Sequence, residues 1–138
     1  MEKDLESARS LMVSGGYTCV LTNGTETLTS TDRGVKPLLQ WVNAGLRLTG
    51  FSAADKVVGK ATAFLYCLLD IREVYTPVIS AAARQVLENQ GIRVIWEQEV
   101  PFIWNRRHTA PCPMETAVKN IWDADGALEA VRETLKTL

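Results

Sequence analysis

The sequence predicts an α/β fold, with a mixed sheet of about five strands covered by helices in a single domain over residues 1–138. Three observations predict it. Asn23-Gly24 lies between two strand-like runs, the strongest short hairpin signal. A strand–helix–strand order follows from Glu73 to Trp96, which requires a parallel pair with a right-handed crossover. Helical patterns precede, separate and follow these strands.

Each element has a local cause. Residues 2–13 repeat apolar positions at helical spacing (Leu5, Ala8, Leu11, Met12), and Ser14-Gly15-Gly16 ends the run. Residues 17–29 form the hairpin. A helix over Val35–Ala44 has Pro37 in its first turn and Gly45 after its end. The next helix is read over Ala53–Leu69, capped by Ser52, with apolar residues on more than one side. Glu73–Ile79 is a strand, Ala81–Asn89 a helix and Ile92–Trp96 a strand, with a further strand over Val100–Trp104. Met114–Trp122 and about 126–138 complete the helices.

The bulk composition excludes several classes. Hydrophobic residues make up 46% and charged residues 22%, as in ordinary globular domains. A formal net charge of -1 carries no basic signature of a nucleic-acid partner. Cys19, Cys67 and Cys112 form no CxxC pair, which argues against a disulfide framework or a zinc finger. No apolar run reaches membrane-spanning length, and the charged start lacks a signal-peptide core. These features lead us to expect a cytoplasmic protein without a membrane partner.

The element order, with Gly34–Leu39, Ala54–Lys60 and Cys112–Glu115, resembles an uncharacterised prokaryotic domain-of-unknown-function family in the cytidine deaminase-like superfamily. The resemblance implies a three-layer α/β/α sandwich, and it implies a possible homo-oligomer. Zinc deaminases place a His or Cys ligand and a Glu at one helix start and two Cys at the next. Here the matching segments read Ala54-Asp55-Lys56 and Ser80-Ala81-Ala82-Ala83. Neither offers a zinc set, so we expect no metal and no other cofactor.

Two constellations remain as candidates for chemistry. Asp55, Lys56 and Lys60 would share the first turns of one helix, where cations are disfavoured unless an anion answers them. That pattern points to a pocket for a small anionic, nucleotide-like ligand; a solvated lysine pair is the alternative. Cys112 with Glu115 has capping-box spacing, with a thiol in place of the serine. A thiol at a helix start gains thiolate character, so Cys112 could be a nucleophile with Glu115 as proton acceptor. The alternatives are a plain helix start, or an inactive relative kept for assembly. Ser80 at a strand-to-helix turn, and Asn105 and Arg106 on a strand-end loop, would complete the ligand site. Capping explains Ser80 equally well, and a solvated loop explains Arg107 and His108.

Overall fold

A computed structural model describes residues 1–137. The chain runs α1 (Lys3–Gly15), β1 (Cys19–Thr22), β2 (Thr27–Ser30), α2 (Lys36–Asn43), β3 (Ser52–Asp55), β4 (Val57–Val58), α3 (Lys60–Leu69), β5 (Glu73–Ser80), α4 (Ala81–Asn89), β6 (Arg93–Val100), α5 (Pro113–Ala117) and α6 (Ala124–Leu135). The sequence-predicted end of the last helix at Leu138 lies outside the described residues. No helix among them is long and apolar enough to cross a membrane.

The hairpin forms where Asn23-Gly24 places it. Asn23 Oδ1 accepts from the amides of Thr25 and Glu26, and Gly24 takes φ 92°, a conformation that suits glycine. β1 runs antiparallel to both β2 and β3, and β3, β5 and β6 are mutually parallel. β3 and β4 are two halves of one path along β5: Ser52 faces Glu73, Val57 faces Val78, and the register is unchanged across the break. Six strands therefore form five rods, in the order β2, β1, β3/β4, β5, β6.

The break falls at Lys56, opposite Pro77, which has no amide hydrogen for the ladder. Its consequence is a slip in side-chain phase. Ala53 and Val58 both enter the larger core, as do Val74 and Ile79, although strict alternation would place the members of each pair on opposite faces.

The larger core lies between the sheet and α2, α3, α4, α5 and α6. On the other face, among the described residues, α1 packs alone, with Leu5, Ala8 and Met12 against Val20, Ala54 and Tyr75. β3 is thus covered on both sides. Its small residues, Ser52-Ala53-Ala54, let α1 approach it closely.

Three sequence expectations are corrected here. The helix read from Ala53 begins at Lys60, and Ser52 caps nothing; it lies buried in β3 and donates to Glu73 Oε2 at 2.5 Å. Small residues with good helix propensity take strand structure here because a central buried strand needs them. The further strand read over Val100–Trp104 reduces to one antiparallel bridge between Trp104 and Pro111, since β6 itself continues to Val100. The helix read over Met114–Trp122 ends at Ala117.

Close packing of α1 over β3 predicts that Ala54→Leu overpacks the smaller core and lowers stability by about 1–3 kcal/mol, read from urea unfolding. A variant as stable as the parent chain would refute that packing.

Candidate functional site

α3 starts where the parallel strands end, the usual address of a site in open α/β sheets. Its first amides have no acceptor within the helix, and Gly59 offers no side-chain cap. The acceptor comes from a remote part of the sequence. Glu115 Oε1 accepts from Lys60 N at 2.8 Å, and Glu115 Oε2 accepts from Ala61 N at 3.1 Å. Glu115 thus does not close a capping box on its own helix; Cys112 caps α5 without any side-chain bond.

Gly59 makes this approach possible. A Cβ at residue 59 would lie 2.6 Å from the Glu115 carboxyl carbon. The backbone there is extended, so the glycine serves the close approach rather than an unusual φ.

Lys60 fastens the same segment from the other direction. Its side chain is buried, at 3% exposure, and Nζ donates to the carbonyls of Val118 at 2.9 Å and Lys119 at 3.0 Å. Nζ also stands 3.7 Å from the centre of the Trp122 ring, a cation–π contact. Burial pulls the ammonium below the usual lysine range, and nearby Glu115 pulls it back up. Residues 115–122 are therefore fixed to α3 by a carboxylate on its amides and by an ammonium on their own carbonyls.

Asp55 occupies a separate environment. Its carboxyl is buried beneath α3, where Tyr66 Oη donates to Oδ2 at 2.7 Å. Cys19 Sγ lies 3.4 Å from the same tyrosine oxygen. Because the tyrosine proton goes to Asp55, the thiol proton serves the tyrosine oxygen, forming a chain from Cys19 through Tyr66 to Asp55. Burial raises the Asp55 carboxyl from 3.8 to about 7, against the opposing pull of Tyr66 and of the Val57 and Lys56 amides. Burial also raises the Cys19 thiol, with Asp55 adding to the effect, and raises the Tyr66 phenol. The sequence does not single out Tyr66, and it reads Cys19 as an inert thiol, since each sits in an apolar run.

The remaining predicted residues are dispersed. Lys56 is exposed and lines a shallow cleft of about 450 Å³ on the α1 face, with Met12, Val13, Gly16, Val57 and Pro77. Asp55 and Lys56 thus point to opposite faces, as neighbours on a strand do. Lys56 and Lys60 share no helix face, because only Lys60 lies on α3. Ser80 is buried and caps α4, accepting from Ala83 N at 3.1 Å. Asn105 bonds Thr109 within its own turn, and Arg106 is exposed on that loop. Cys112 is half-buried against the larger core. Cys67, also half-buried, is raised by burial to about 11. Among the described residues, no group of three or more His, Cys, Asp or Glu could hold a metal. A second cleft of about 300 Å³, near Cys67 and Arg72, contains none of the predicted site residues.

Fold and site together define a mixed α/β domain whose central helix start is capped by the chain's own carboxylate. The chain belongs to the DUF1893 family, a domain of unknown function, whose profile (TM1506) matches residues 7–135. It is similar to the crystal structure of a DUF1893 family protein (TM1506) from Thermotoga maritima, with a TM-score of 0.86 and 25% identity over 100% of this chain and 92% of that one. No curated protein matches it.

Glu115→Ala removes two charge-assisted bonds and costs about 2–4 kcal/mol by urea unfolding. Gly59→Ala displaces the same carboxylate and costs nearly as much; the double variant is no less stable than Glu115→Ala alone, whereas simple additivity would contradict the contact. Asp55 titrates at about 7 in the fold and near 3.8 unfolded, so the folded state prefers the acid form. Its contribution is present below pH 4 and is lost as pH rises through 7. The parent chain should lose roughly 2–4 kcal/mol between pH 4 and 8 relative to Asp55→Asn; parallel pH profiles would contradict the buried acid.

Proposed function

We propose that this protein is a cytidine deaminase-like α/β/α domain that binds a small anionic, nucleotide-like ligand at the start of α3 without zinc. The sheet order and the element sequence support the sandwich assignment. One observation carries the ligand reading: an oxyanion already rests on the Lys60 and Ala61 amides, and it is the Glu115 carboxylate. A helix start whose first amides have no acceptor in their own helix, opened by a glycine, suits phosphate or carboxylate. A ligand would compete with Glu115, and moving residues 115–122 would release the Lys60 ammonium to it. The free cysteines support a place in the cytoplasm, where thiols stay reduced.

A second reading is an inactive relative whose pocket is filled from within. It is favoured by Lys60, whose ammonium is already engaged by two carbonyls and a ring. The thiol-enzyme alternative at Cys112 has less support, because Glu115 is bound elsewhere.

Thermal-shift measurements with inorganic phosphate, nucleoside monophosphates and small dicarboxylates distinguish these readings. Ligand binding predicts that Glu115→Ala has a lower Tm without ligand and a larger ligand-induced rise than the parent chain. Absence of any rise in either protein, even at millimolar ligand, would overturn ligand binding and leave the filled scaffold.

A further inference from the structure

β6 is the long edge of the sheet. It pairs with β5 along one side, and among the described residues no backbone group bonds its other side. Exposed edges of this length are templates for pairing, and natural proteins cover or interrupt them. Residues 93–97 of β6 carry a self-complementary pattern. Arg93 meets Glu2 at the start of α1, and Glu97 bonds Tyr75 in the α1-side core, so Arg93, Ile95 and Glu97 share the α1 face. Trp96 lies on the opposite face beneath Arg84 of α4 and is 36% exposed. Glu99 also meets Arg84, so the phase slip described for β3/β4 and β5 reaches β6 beyond Glu97.

We infer that β6 pairs antiparallel with β6 of a second copy, with the two-fold axis at Ile95, to make one sheet continuous across a homodimer. Directly opposed residues in an antiparallel ladder lie on the same face, which restricts the register. An axis at Glu97 would set two carboxylates against each other. An axis at Trp96 would oppose Arg93 to Glu99, whose side chain lies on the other face. The axis at Ile95 opposes each Arg93 to a Glu97, Ile95 to itself and each Val94 to a Trp96, all on matching faces. Charge and apolar surface are then complementary at once, as a two-fold interface requires. The ligand reading at α3 is independent of this edge.

Sedimentation velocity over a concentration series tests the dimer, with circular dichroism and Tm confirming that each variant is folded. The parent chain should be a concentration-dependent dimer. Ile95→Lys sets two ammonium groups against each other at the axis and should yield a monomer. Arg93→Glu and Glu97→Arg should each weaken the dimer about tenfold or more, and the double exchange should restore it. A parent chain that stays monomeric at all concentrations overturns the proposal. So does a dimer indifferent to Ile95→Lys, or one in which the double exchange fails to restore what the single exchanges lose.

Discussion

The amides of Lys60 and Ala61 open α3 with no acceptor in their own helix, and the Glu115 carboxylate accepts from both. α3 is covered by the sheet on one side and by α2, α4 and α6 on others, so water has little access to its buried face. A helix start in that position needs a polar partner at full strength. Glu115 brings with it the whole segment that joins the strand layer to α6. Lys60 secures the segment through the Val118 and Lys119 carbonyls, and the ring of the largely exposed Trp122 lies against the ammonium. Removing the Glu115 side chain leaves the two amides without their acceptor, and removing the Lys60 side chain leaves the Val118 and Lys119 carbonyls without that donor.

The break between β3 and β4 follows from a different constraint. Pro77 cannot donate to the ladder, and the carboxyl of Asp55 turns inward beside the break to meet Tyr66. The sheet changes phase there, which allows Val58 and Ile79 to face the helices that follow their strands. The buried acid makes this junction sensitive to pH, while Glu115 and Lys60 hold the neighbouring helix start.

Parts of this arrangement were legible in the residues. Asn23-Gly24 marked the hairpin because the asparagine amide and a glycine at positive φ favour a turn locally. The unit from Glu73 to Trp96 was legible because its strands are rich in β-branched and aromatic residues, and Ser80 caps its helix with a single local bond. Ser52–Asp55 was misread because a strand buried on both faces lacks alternation, and its small residues are also good helix formers. The site was legible only in its members. Lys60 and Glu115 were both singled out, but their partnership links positions far apart in sequence, and spacing rules describe neighbours within one element. The pairing of Tyr66 with Asp55 and Cys19 depends likewise on packing between helix and sheet.

The central claim is that a carboxylate remote in sequence satisfies the first amides of α3. Native-state hydrogen exchange, resolved residue by residue, tests it most directly. The account predicts that the Lys60 and Ala61 amides are protected as strongly as Ala63 and Phe64 deeper in the helix, and that they exchange together with the opening of residues 115–122. Fast exchange at Lys60 and Ala61, beside slow exchange at Ala63, would contradict it.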